Sequence, residues 1–207
     1  MINKDTLLFG SFSENPGNNG CNFFNKGFNK QKIDAIYKSF YSIDIDETVR
    51  AVKHLGFSGF ALSMPLKKQI FPYLDVASDS VLSTGAANTV IIKDGLLYGY
   101  NTDVIGVYEF FKRKKIGYLN IIGNGGFSSA IQYAMNLHKI EYKIWDRETV
   151  KNIDSVKGKY FINATPANIE TKNNMLIDAR PFTKDGKRIF KFQALEQFKL
   201  YTGKDYV

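Results

Sequence analysis

The sequence predicts an α/β chain folded as two lobes, and three observations lead there. Short apolar runs that end in glycine or proline alternate with amphipathic stretches along most of the 207 residues. An Asp94-Gly95 pair separates the apolar runs 87–92 and 96–100, as in a hairpin. A glycine-rich turn, Gly123-Asn124-Gly125-Gly126, follows one strand-like run and opens a helix-like one. Strand and helix periods alternating in this way argue for sheets backed by helices. The length suffices for two small domains, each with its own core.

In order, residues 6–10 form an apolar run ending in Gly10, the first strand. Residues 11–20 are crowded with Ser, Asn, Gly and Pro and read as a loop. A helix is expected over 22–30, and Ala35-Ile36-Tyr37 opens a second strand. Residues 46–55 form a helix: acidic residues start it, Val49, Val52 and Leu55 share a face, and Gly56 stops it. The third strand, 60–64, is bounded by Gly59 and Pro65. After the hairpin an amphipathic helix spans 104–115 and bridges the lobes, with Lys112-Arg113-Lys114-Lys115 where cations suit a helix C-terminus. Strand 118–123 and helix 127–138 follow, the helix burying Ala130, Ile131, Ala134 and Leu137. Strands at 141–146, 160–164 and 175–178 and a closing helix over 193–201, with Leu195, Phe198 and Tyr201 inward, complete the chain.

Composition narrows the function. A net charge of +8 suits anionic partners: nucleic acid, a phosphorylated cofactor or a carboxylate substrate. The aromatic residues, 14% of the chain, recur at core spacing and not as base-stacking platforms, which argues against nucleic acid. The single cysteine, Cys21, excludes an internal disulfide framework and reads as a packing residue. No His/Cys/Asp cluster has metal spacing, and His54 and His138 read as exposed residues near helix ends. No apolar run would span a bilayer, and the first residues lack a signal-peptide layout, so a cytoplasmic protein without membrane partners is expected.

Three stretches carry candidate chemistry. They are Ser63-Met64-Pro65-Leu66-Lys67, Gly85-Ala86-Ala87-Asn88-Thr89 and Gly99-Tyr100-Asn101-Thr102-Asp103. Lys67 and Asp103 make a proton-transfer pair if folding joins them, with Asn88 to orient a hydroxylated ligand. By spacing alone, Lys67 reads first as a solvated strand-end lysine. The glycine turn matches a dinucleotide site: Gly123 permits the turn, Gly125 lets backbone approach a pyrophosphate at the helix N-terminus, and Ser128 allows close packing. The next strand ends in Asp146-Arg147. The acid favours a free ribose 2′-hydroxyl and the arginine a 2′-phosphate, so NADP and NAD both stay open.

These residues resemble the shikimate dehydrogenase family. Its Asn-Val-Thr-x-Pro-x-Lys is similar to residues 61–67, its Gly-Ala-x-Asn-Thr to 85–89, and its Gly-Tyr-Asn-Thr-Asp to 99–103 without a change. Its Gly-x-Gly-Gly, Asn-Ala-Thr-Pro and C-terminal Gln-containing helix resemble 123–126, 163–166 and 193–203. The resemblance implies an N-terminal α/β substrate-binding domain, residues 1–103 with helix 190–207, and a Rossmann-like NAD(P)-binding domain, 104–189, with the active site in the cleft. It implies catalysis by Lys67 and Asp103 and substrate contacts from Ser63, Asn88 and Gln193. Gly123, Asn124, Gly125, Gly126, Phe127, Asp146, Arg147, Ala164 and Thr165 would hold the cofactor, NADP or NAD, and the protein would be a monomer or homodimer.

Departures point to the shikimate dehydrogenase-like branch. The family's Ser-x-Ser-Pro loop, which binds the substrate carboxylate, is replaced by residues 13–21, which put Asn18 near a serine position. Ala61 stands where the family has a substrate-contacting Asn, and Arg180 lies near where a Tyr is usual. Residues 146–163 leave little room for a crossover helix, so a shortened cofactor domain is expected. The alternatives are a non-catalytic or weakly active metabolite-binding protein on the same scaffold, or an enzyme for quinate.

Overall fold

The computed structural model describes residues 2–146, 148–156 and 159–207. The chain divides into two compact units, Met1–Thr102 with Ala194–Val207, and Asp103–Gln193. Among the described residues no helix is long and apolar enough to cross a membrane.

The first unit holds a six-stranded sheet of β1 (Leu7–Ser13), β2 (Ala35–Tyr41), β3 (Phe57–Leu62), β4 (Val76–Ala77), β5 (Thr89–Lys93) and β6 (Leu96–Tyr100). The strand order is β2-β1-β3-β5-β6-β4. β1 runs parallel to β2 and β3, whereas β5 is antiparallel to β3 and β6. Asp94 and Gly95, at φ 52° and 77°, make the tight hairpin turn that the sequence predicts. Helices α1 (Asn19–Lys30), α2 (Ile45–His54), α3 (Leu66–Gln69) and α4 (Asp79–Thr84) connect the strands.

Alternation along the strands sorts two cores. Phe12, Phe60 and Leu62 pack with Val49 and Val52 of α2. Phe9 and Tyr37 face the other way, against aromatic rings of α1 (Phe24, Phe28) and of the C-terminal helix (Phe198, Tyr201). Two expectations change here. α2 starts after Asp44, whose carboxylate accepts from Glu47 N–H at 3.0 Å, and it ends at His54, with Leu55 62% exposed. The third strand begins at Phe57 and stops at Leu62, before the polar Ser63.

The second unit holds a four-stranded, wholly parallel sheet: β7 (Tyr118–Ile122), β8 (Glu141–Trp145), β9 (Tyr160–Asn163) and β10 (Met175–Asp178), in the order β10-β9-β7-β8. α5 (Thr102–Phe111) and α6 (Gly126–His138) precede β7 and β8. One face buries Leu119, Ile121 and Ile162 against Ala130, Ile131, Ala134 and Met135 of α6. Met135 takes the place expected of Leu137, which is 51% exposed; the inward stripe follows the 131, 134, 135 positions. His138 is not an exposed cap: its ring stacks on Tyr108 at 4.2 Å and its Nε2 lies 2.9 Å from Tyr108 O.

The other face is covered cheaply. A 3₁₀ turn over Thr149–Ser155 stands between β8 and β9, and its Ile153 packs with Ile122, Trp145 and Phe161. The crossover from β9 to β10, residues 164–174, carries no helix. α7 (Lys184–Thr202) then closes the chain and starts nine residues before the expected Gln193; its first turns are lysine-rich and show no apolar stripe, which hides the start in the sequence.

Candidate active site

Within the first unit the three motif stretches are knitted together by main-chain hydrogen bonds. Ala87 N–H donates to Lys67 O at 2.8 Å, Leu62 N–H to Asn88 O at 2.9 Å, and Asn88 N–H to Tyr100 O at 3.1 Å. Lys67 sits in α3 after a cis Met64–Pro65 bond and is half-buried, while Lys68 beside it is exposed. Ser63 is exposed and donates its N–H to Phe12 O.

Asn88 is 4% exposed and tightly oriented. Its Oδ1 accepts from Thr102 N–H at 2.8 Å and Thr89 Oγ1 at 2.9 Å, and its Nδ2 donates to Thr102 Oγ1 at 3.0 Å. Thr89 Oγ1 in turn accepts from Gln197 Nε2 at 2.8 Å. Thr89 and Thr102 stand in the motif stretches without a role of their own in the sequence reading, and Gln197 was not singled out. The signal for Gln197 was its place one helical turn after Gln193.

Register sets the sheet face beside this network. Ser39, Ser11, Ala61, Thr89 and Tyr100 are neighbours on successive strands, so their side chains share one face of the sheet. Four of the five are short. Asn18 is the exposed N-cap of α1 and its side chain makes no capping hydrogen bond; the first turn of α1 holds no acid. The positive helix end is therefore uncompensated by side chains.

In the second unit, Asp103 (7% exposed) opens α5 and Gln193 (8%) lies on α7. A Cβ at Gly106 would come within 2.9 Å of Gln193 Cβ, so glycine there lets α5 receive that side chain. At the end of β7, Gly123 adopts φ 106° and donates its N–H to Trp145 O at 2.8 Å. A Cβ on it would lie 2.7 Å from Thr165 Cγ2. Asn163 Oδ1 fixes that neighbour by accepting from Thr165 N–H at 3.0 Å and Oγ1 at 2.8 Å, and Ala164 N–H donates to Ile122 O.

The glycine turn fits a pyrophosphate. No atom lies within 4 Å of a Cβ built on Gly125, no side chain caps α6, and its first turn has no acid. Asn124 is exposed, Gly126 and Phe127 are half-buried and Ser128 is fully buried, as close packing requires. Asp146 Oδ1 is turned back on its own chain, accepting from Thr149 N–H (2.9 Å), Thr149 Oγ1 (2.8 Å) and Glu148 N–H (3.0 Å). Those bonds, the Thr149 amide first, hold its pKa below the usual carboxylate value. Arg147 lies outside the described residues. After β10, Arg180 forks onto Asp178 and reaches Asn168 at 2.8 Å. Among the described residues no group of His, Cys, Asp or Glu forms a metal site.

Comparison with known proteins fits this arrangement. The family model for the shikimate dehydrogenase substrate binding domain matches residues 20–90. A shikimate dehydrogenase-like protein of Haemophilus influenzae is 34% identical over 170 residues, 79% of this chain. The chain is similar to shikimate dehydrogenases and to shikimate dehydrogenase-like proteins. It spans 63% of the length of that Haemophilus relative. A shikimate dehydrogenase (NADP(+)) of Staphylococcus aureus is 26% identical over 230 positions, 81% of this chain and 86% of that one. The solved structure of a shikimate 5-dehydrogenase-like protein superposes with a TM-score of 0.79 at 27% identity, covering 99% of this chain and 94% of that one. The match to the family's substrate-binding model takes in Lys67 and Asn88, whereas Asp103 and the glycine turn lie beyond it.

Proposed function

We propose that the protein is an NAD(P)-dependent oxidoreductase that interconverts shikimate, or a closely related cyclic hydroxy acid such as quinate, with its ketone. One observation carries the reading. The buried Asn88–Thr89–Thr102–Gln197 network sits in the same main-chain weave as Lys67, which supports a site that combines an oriented amide with an acid–base amine.

Lys67 Nζ takes the proton from the substrate hydroxyl on oxidation and returns it on reduction, with Asp103 assigned to the same transfer. Asn88 and Gln193 orient the ring hydroxyls, and Ser63, which opens the motif that carries Lys67, is assigned to the same ligand. Asn18 and the first-turn amides of α1 receive the carboxylate. The nicotinamide cofactor, when bound, supplies or accepts the hydride. Gly123, Asn124, Gly125, Gly126 and Phe127 hold its pyrophosphate, and Ala164 and Thr165 border it. NADP is favoured over NAD because Asp146 Oδ1 is occupied within its own turn; the name of the Staphylococcus relative supports the same choice. Arg147 is assigned to the 2′-phosphate.

A second reading, a metabolite-binding protein with little turnover, draws on the 3₁₀ turn that stands in for a crossover helix in the cofactor sheet. The test is direct. Shikimate and quinate are each incubated with NADP or NAD and reduced nicotinamide is followed by its absorbance. Turnover that falls on the order of 10²–10⁴-fold in Lys67→Ala, with substrate binding retained, supports the enzyme. No turnover in any pairing, with both ligands still binding, favours the second reading.

A further inference from the structure

The loop that carries Asn18 is held by a hydroxyl on a strand that no motif marks. Ser39, on β2, donates from Oγ to Gly17 O at 2.8 Å. The same oxygen accepts from Ser11 Oγ at 3.0 Å and lies 3.3 Å from Cys21 Sγ. A serine hydroxyl offers one donor and two lone pairs. With the Cys21 thiol donating, all three are used, which fixes the rotor toward Gly17.

Gly17 itself is unsupported by packing: it is exposed, and a Cβ placed on it would have no neighbour within 4 Å. The loop's other attachments lie at its ends. Glu14 N–H donates to Met64 O at 3.1 Å, and Asn22 N–H to Asn18 O at 2.9 Å in the first turn of α1. Asn15 and Pro16, between them, are exposed.

We infer that Ser39 is a positioning residue: by holding Gly17 it sets where Asn18 and the α1 N-terminus meet the acid group of the ligand. The inference rests on the proposed function for the acid group. Its structural half, the anchoring of the loop, stands apart from it. Loss of the hydroxyl frees the middle of the loop without touching Lys67, Asn88 or the glycine turn.

The test compares the full-length wild type with Ser39→Ala and Ser39→Thr, using shikimate and its methyl ester as paired substrates. Ser39→Ala raises KM for shikimate on the order of 3- to 10-fold, with kcat within about twofold and KM for the ester unmoved. Ser39→Thr, which keeps the hydroxyl, restores the wild-type KM. Equal rises for acid and ester, or no rise for either, overturn the positioning role. Should the wild type turn over neither substrate, the functional reading fails, and amide hydrogen exchange still decides the anchoring. Faster exchange at residues 15–20 in Ser39→Ala, confined to that loop, supports it; unchanged exchange overturns it.

Discussion

Gln197 Nε2 donates to Thr89 Oγ1 at 2.8 Å, and both side chains are almost wholly buried, at 2% and 0% exposure. This bond ties the last helix to β5, and through Thr89 it also fixes the Asn88 amide. Replacing Gln197 by Leu removes one donor and leaves a buried hydroxyl short of a partner, which costs about 1–3 kcal/mol. Urea denaturation is expected to show that loss. The double variant Gln197→Leu with Thr89→Val is expected to lose less than the sum of the two singles, because neither member of the pair is then left facing an unmatched partner.

Gly123 and Gly125 are expected to separate fold from cofactor. Gly123 sits at φ 106°, and the methyl of an alanine there would meet Thr165 Cγ2 at 2.7 Å, so Gly123→Ala strains the backbone and displaces the β9 loop. A melting temperature several degrees lower is the expected result, since a strained backbone of this kind costs on the order of 1–3 kcal/mol. Gly125 has ordinary extended backbone and open space, so Gly125→Ala leaves the melting temperature unchanged. Its methyl instead blocks the pyrophosphate approach, and titration with NADP is expected to show binding weaker by about tenfold or more.

The buried Asn120 of β7 is explained by its neighbours. Its Oδ1 accepts from Trp145 Nε1 at 2.8 Å and its Nδ2 donates to Tyr160 O at 3.1 Å, which joins three strands of the second sheet. Asn120→Leu leaves the indole N–H buried without an acceptor, at a cost of about 1–3 kcal/mol. Trp145 is the only tryptophan, so its fluorescence reports this directly. The expected outcome is a lower urea midpoint in the indole signal.

Much of the fold was legible because periodicity is local. The hairpin at Asp94-Gly95 and the strand–turn–helix at Gly123 were plain from turn chemistry and apolar runs. The first turns of α7 were not: Lys184 to Arg188 carry no apolar stripe, and their helix depends on tertiary packing around Ile189. Leu137 was misplaced because a regular three-four spacing fits either Met135 or Leu137, and only the neighbours choose between them. At the site, Lys67, Asn88 and the glycines stood out by motif. Ser39 and Gln197 did not, since their role comes from cross-strand register and a partner up to 108 residues away.

Acid sensitivity of the second unit is expected to come from Asp178. Burial alone would raise its pKa, but hydrogen bonds and charge from Arg180 outweigh that and hold it below the usual value. An unfolded aspartate titrates near about 3.9. Because the folded value is lower, the unfolded chain takes up the proton first as pH falls. The stabilisation is therefore fully present above the unfolded value and disappears as pH drops through the folded one. Stability measured by urea denaturation between about pH 6 and pH 2 is expected to decline below about pH 4 in the wild type. In Asp178→Asn the guanidinium of Arg180 keeps only a neutral acceptor, so the variant is less stable near neutrality and its curve is flatter on the acid side. An acid limb as steep as that of the wild type would place the titration on another carboxylate, with Asp154, held down by Thr171, the next to replace.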